Sequence, residues 1–259
     1  MYVFVYDTIR IIYVTEGFFG RFELFAIFLL AGWQKVRERT RIMKKDERKV
    51  FGLGILWIMA FAVWTWMVQN VDVQPVGVNG TEIGFATWNR WFHNLTGVHM
   101  TIYTITDWLG LVPIAVCILF AIVGLIQMIK RRSLLKVDCD ILFLGIYYMI
   151  VIFGYLIFEM IPINYRPILI NGFMEASYPS STTLLVLSVM PTLIFQGNRR
   201  LKNSRLKKAV AIFTVLFSAF MVIGRLLSGV HWFTDIAGSV MLSAGLLCIY
   251  YAAVLWNCR

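Results

Sequence analysis

An all-α, polytopic membrane protein, a bundle of six transmembrane helices, is the fold class this sequence predicts, and three observations predict it. Of 259 residues, 59% are hydrophobic and only 15% charged, a balance of membrane proteins rather than soluble domains. Six apolar stretches approach or exceed the length of about 20 residues that crosses a bilayer as a helix. Lys and Arg are concentrated in alternate connections between those stretches. A backbone surrounded by lipid must satisfy its own hydrogen bonds, so the spans read as helices.

The elements follow in order. Residues 1–33 interrupt their apolar runs with Asp7, Arg10, Glu16, Arg21 and Glu23, which leaves no clean span. They read as an interfacial or packed helical segment, so residues 1–50 are set apart from a six-span domain at 51–259. No cleavable signal peptide is expected, because residues 1–6 carry no basic n-region and no small-residue cleavage site follows. The first span is 51–69. The connection 70–110 begins with turn formers (Gln74, Pro75, Gly77, Gly80) and then places Phe85, Trp88, Trp91, Phe92 and Leu95 at helical spacing. That pattern predicts an amphipathic helix anchored by Trp at a membrane interface. Further spans are read at 109–129, 141–160, 180–196, 209–228 and 235–256; the one at 180–196, fourth of the six, is short and carries Pro191. Small residues on the last (Gly238, Ser239, Ser243, Gly245) predict a close helix–helix contact.

Charge reports topology. The net charge is +10, yet residues 34–50 hold eight Lys/Arg, 130–140 four and 197–208 six, while 70–110 and 161–179 hold one each, Arg90 and Arg166. This positive-inside bias places the basic connections in the cytoplasm of a multi-pass cell-membrane protein and argues against nucleic-acid binding. Arg166, Ser180, Arg225 and His231 then share the opposite, extracytoplasmic, end. The four cysteines form no C-x-x-C or Cys/His spacing, so neither a metal site nor a disulfide is expected.

Chemistry concentrates in GRLLSGVHWFTD. Arg225, His231 and Asp235 are the only acidic, basic or imidazole side chains between Ala209 and Asn257. Ionisable groups at membrane depth are costly, which makes them a functional-site hypothesis by default. His231 and Asp235 stand at i,i+4, a spacing that puts both groups on one helix face. Ser180, Ser181 and Thr182 begin a helix, where free amides and the dipole attract an anion.

The pattern R-x5-H-x3-D at Arg225, His231 and Asp235 resembles the third signature of the type 2 phosphatidic acid phosphatase superfamily, which includes lipid phosphatases and vanadium haloperoxidases. Upstream, Arg166-Pro167 resembles the end of the first signature, K-x6-R-P, with Glu159 in place of the lysine. YPSSTT resembles the second, P-S-G-H, with Ser181 for glycine and Thr182 for histidine; in the third, Gly224 replaces a common serine. The resemblance spans 159–235 and implies a lipid phosphatase acting through a phosphohistidine. His231 would be the nucleophile, Asp235 would orient its ring, and Arg225 and Arg166 would bind phosphate oxygens, the planar guanidinium matching that geometry. Ser180, Ser181, Thr182 and Glu159 complete the substrate-binding set, and no cofactor is implied.

The departures carry chemistry. The missing histidine is the family's general acid, a role worth roughly 10²–10⁴-fold that threonine cannot fill near neutral pH. A protonated Glu159, or His93 or His99 folded over the site, could replace it. Alternatively the substrate needs little help: a lipid diphosphate expels a phosphate, a better leaving group than an alcohol. The expected partners are thus membrane lipids and a lipid phosphate or, preferentially, a lipid diphosphate. Lipid phosphotransfer, and non-catalytic binding or transport of lipid phosphates, are the alternative functions.

Overall fold

Helices account for nearly all the regular structure of the computed structural model, which describes residues 47–258. The segment expected at 1–33 lies outside the described residues. In chain order the α-helices are α1 (Glu47–Asn70), α2 (Ala86–Thr96), α3 (Met100–Leu109), α4 (Leu111–Arg131), α5 (Cys139–Met160), α6 (Ser181–Arg200), α7 (Ser204–Leu227) and α8 (Phe233–Asn257). Among the described residues β-structure is limited to isolated bridges.

Among the described residues, five helices are long and apolar enough to cross a membrane: α1, α5, α7, α8, and α3 running on into α4 as one stretch, Met100–Arg131. The expected fourth span is α6, a helix of 20 residues that continues through Pro191 but is less apolar than the other five. Burial explains the difference. α6 packs against α4, α5, α7 and α8, and Ser188, Thr192 and Gln196 are buried within the protein. A helix surrounded by protein can carry polar groups that find partners there: Thr192 shares a 2.6 Å hydrogen bond with Tyr148, and Gln196 donates to Tyr250 at 3.0 Å. The outer helices show the opposite pattern, with Leu56, Met59 and Trp66 of α1 and Leu216 and Phe220 of α7 exposed. An apolar exterior of that extent belongs in a bilayer.

α8 is the central helix and α1 lies along it. The small residues explain how closely. A methyl group on Gly245 would come 2.7 Å from Ile58 Cδ1, and one on Gly54 would come 2.8 Å from Ile249 Cγ1. The amphipathic pattern of the 70–110 connection forms α2, which exposes Trp88, Trp91 and Leu95 and buries Phe92. Its buried Asn89 donates to Gly84 O and Thr234 Oγ1, which ties α2 to the start of α8.

The start of α5 and the ends of α6 and α8 are fastened together. Asp140 receives both Arg200 Nη1 at 2.7 Å and Arg199 Nε at 3.2 Å. Cys139 and Cys258 form a disulfide, which corrects the expectation that the cysteines are unpaired. Their separation of 119 residues carries no spacing signal; the return of α8 beside the start of α5 creates the pair.

Candidate functional site

Two loops and two helix ends build the site at the other end of the bundle. Between α5 and α6 the chain folds back on itself through bridges Tyr165–Ala176 and Ile170–Phe173. Arg166 N donates to Glu175 O, and Ser177 N donates to Asn164 O at 2.9 Å, so Arg166 and Ser177 are held by paired backbone rather than by a free loop. Arg225 occupies the last turn of α7. The turn to α8 passes through Gly229, whose φ of +69° suits glycine and where a Cβ would sit 2.1 Å from Gly97 O. His231 follows, and Asp235 lies in the first turn of α8, where its Oδ2 accepts from Trp232 N at 2.9 Å.

These elements bring four of the anticipated groups together. His231, Asp235, Arg225 and Arg166 are all buried. Both guanidiniums lie over the Tyr103 ring, Arg225 at 5.0 Å and Arg166 at 5.7 Å from its centroid. Arg166 pairs with Glu175 at 3.1 Å, and Arg225 Nη2 with Asp107 Oδ1 at 2.9 Å. Arg225 Nη2 also donates to the Thr182 hydroxyl, which joins α6 to the cluster. Nε and Nη1 of both arginines, and Nε2 of His231, are buried without a hydrogen-bond partner among the described residues. Unmet buried donors are expensive, and charged ones more so. Four guanidinium N–H-bearing atoms and one imidazole nitrogen at one end of a bundle are the inventory of an oxyanion site.

The protonation pattern of His231 can be reasoned from its partners. Asp235 Oδ2 lies 3.8 Å from His231 Nδ1, beyond hydrogen-bond distance. Ser177 fills the gap: its hydroxyl donates to Asp235 Oδ2 at 2.5 Å and stands 3.0 Å from Nδ1. Asn164 Nδ2 adds a donor to Oδ1 at 3.4 Å. Burial pushes the His231 pKa down to about 4, opposed by Asp235 and reinforced by the charges of Arg166 and Arg225. The ring is therefore neutral at neutral pH.

The remaining residues of the expected set divide. Ser180 is buried at the start of α6, where its N donates to Asp235 O and its Oγ to Thr183 Oγ1. Ser181 lines a small crevice with Glu159, Tyr178 and Pro179. Glu159 is exposed on the last turn of α5, and the carboxylates paired with the two arginines are Glu175 and Asp107. His93 Nε2 is engaged with Gly229 O at 3.2 Å and its ring packs on Trp232, while His99 Nε2 meets Thr96 O. Burial also lowers the His93 pKa. Sequence reasoning missed Ser177, Asn164, Tyr103 and Asp107; Ser177 adjoins YPSSTT and Asn164 stands two residues before Arg166, but a single serine or asparagine there carried no chemical signal of its own.

The family model of the PAP2 superfamily matches residues 115–259, more than half of the chain. The chain is similar to the crystal structure of the first transmembrane PAP2 type phosphatidylglycerolphosphate phosphatase from Bacillus subtilis, at 18% identity and a TM-score of 0.49 over 77% of this chain and 94% of that one. No curated protein sequence matches the chain significantly.

Proposed function

Because the chain belongs to the PAP2 superfamily, we propose that it is a lipid phosphatase of the cell membrane that works through a phosphohistidine on His231. The observation that carries this reading is the set of buried, unpartnered donors of Arg166 and Arg225 beside a free His231 Nε2. Arg166 and Arg225 hold the phosphate oxygens, together with the first amides of α6. Nε2 then forms a bond to phosphorus while the bond to the leaving oxygen breaks, and that oxygen departs with the electron pair. Water attacks the phosphohistidine next, releasing phosphate and restoring Nε2. The positive-inside bias supports a site on the extracytoplasmic face.

Thr182 shapes the substrate preference. Its hydroxyl accepts from Arg225, Glu159 is exposed, and the Nε2 atoms of His93 and His99 are engaged with backbone carbonyls. A leaving group that departs without protonation suits such a site, so lipid diphosphates are favoured over lipid monophosphates such as phosphatidic acid.

The test is phosphate release by the purified protein in detergent across a panel of lipid mono- and diphosphates, alongside His231→Ala. Release that is fastest from diphosphates and falls by at least about 10³-fold in the variant is expected. Faster turnover of phosphatidic acid would remove the diphosphate preference. Release unchanged by His231→Ala would remove the phosphohistidine.

A further inference from the structure

Resting on that reading, we propose that Ser177 is a positioning residue for His231: its hydroxyl keeps the proton on Nδ1 and so leaves Nε2 free to take up phosphorus and to give it back.

The geometry assigns each proton. A serine hydroxyl has one hydrogen and two lone pairs, and an imidazole in its neutral form has one N–H. Asp235 is the focus of three donors: Ser177 Oγ at 2.5 Å, Trp232 N at 2.9 Å and Asn164 Nδ2 at 3.4 Å. The Ser177 proton is therefore spent on Asp235, and only a lone pair remains for Nδ1 at 3.0 Å. Nδ1 must be the donor. The alternative tautomer would place the N–H on Nε2, which has no hydrogen-bond partner among the described residues and feels the charges of Arg166 and Arg225, and would leave it useless for attack. Asp235 cannot impose this choice alone, because its nearer oxygen is 3.8 Å from Nδ1.

Ser177 is also held in place. It is buried, and its N–H donates to Asn164 O at 2.9 Å beside the Tyr165–Ala176 bridge. Asn164 thus fixes the serine through its backbone and the aspartate through its side chain.

The role extends over both chemical steps. When Nε2 bonds to phosphorus the ring becomes cationic, and Nδ1–H shares that charge. Ser177 links it to the Asp235 carboxylate through two hydrogen bonds in series. In the second step the water oxygen bonds to phosphorus, the N–P electron pair returns to Nε2, and a water proton passes to solvent. A ring that had lost its Nδ1 proton would have to leave as imidazolate, a far poorer leaving group. Keeping that proton on Nδ1 keeps the second step fast.

The experiment uses the full chain in detergent with ¹⁵N-labelled histidine. Three histidines are present, and His231 is assigned by the signal lost in His231→Gln. The expected wild-type spectrum shows His231 as the Nδ1–H tautomer at pH 7. Ser177→Ala is expected to populate the Nε2–H form and to lower kcat by about 10- to 100-fold with KM nearly unchanged, as for other residues that orient a ligating histidine. Ser177→Thr, which keeps the hydroxyl, is expected to recover most of kcat. A wild-type His231 in the Nε2–H form overturns the proposal even if the alanine variant fails to fold. So does a Ser177→Ala protein that keeps the Nδ1–H tautomer and the wild-type kcat. The tautomer is read without turnover, so an enzyme whose phosphate release ignores His231→Ala sinks the phosphohistidine reading separately.

Discussion

His231 has one ring nitrogen committed to Ser177 and the other unpartnered beside two arginines. Its pKa of about 4, set first by burial, has a sign that can be checked in activity. An ordinary histidine near 6.5 would lose its nucleophilic form through the mildly acidic range. Here kcat/KM is expected to hold from pH 7 down to about 5 and to fall with an apparent pKa near 4. A pH–rate profile whose acid limb lies near 6.5 would contradict the burial of the ring. The same shift acts on stability. The unfolded chain takes up a proton near 6.5 and the native one only near 4, so this contribution is complete above about 6.5 and is lost as pH falls to about 4.

At the level of elements, the contact between α1 and α8 depends on two glycines that each face a neighbour's side chain. Gly245→Val would put new carbon where Ile58 already lies, since even a first methyl comes 2.7 Å from Cδ1. Overpacking of this kind costs about 1–3 kcal/mol. A lowered midpoint of thermal unfolding in detergent is the expected result, with Gly52→Val as the control, because a methyl there meets nothing within 4 Å. Equal midpoints for the two variants would show that the α1–α8 contact yields freely. α2 is fastened differently, through the buried Asn89 and its bonds to Gly84 and Thr234, which leaves Trp88 and Trp91 facing outward. Far away in sequence, α2 is thus held close in space to the turn that carries His231, where His93 Nε2 meets Gly229 O at 3.2 Å.

For the molecule as a whole, the multi-pass arrangement gives two chemically distinct ends. One carries the arginine–histidine cluster; the other carries the basic connections at 130–140 and 197–208, the Asp140 ion pairs and the Cys139–Cys258 disulfide. Disulfides are rare in the cytoplasm, so that bond and the charge bias point to opposite sides. The bias is the heavier term: the three basic connections hold eight, four and six Lys/Arg against one in each of the others. A cysteine introduced at Phe173, which is exposed at the site end, is expected to react with a membrane-impermeant thiol reagent in intact cells, and one at Lys202 only after permeabilisation. The reverse labelling pattern would put the site in the cytoplasm.

Span length, helical spacing and scarce charge in an apolar background are local signals, and they made the class, the location of most helices and the convergence of His231, Asp235, Arg225 and Arg166 legible in the sequence. It even marked the fine packing of α8, through Gly245. Tertiary structure alone decided which carboxylates meet the arginines, that Glu159 is not one of them, that Cys139 finds Cys258, and that α6 runs through protein and so needs fewer apolar residues than its neighbours. It also decided the place of Ser177. A buried hydroxyl bridging an imidazole and a carboxylate has no period and no spacing of its own. Only the folded-back loop from Asn164 to Ser177, laid against the start of α8, gives that serine its neighbours.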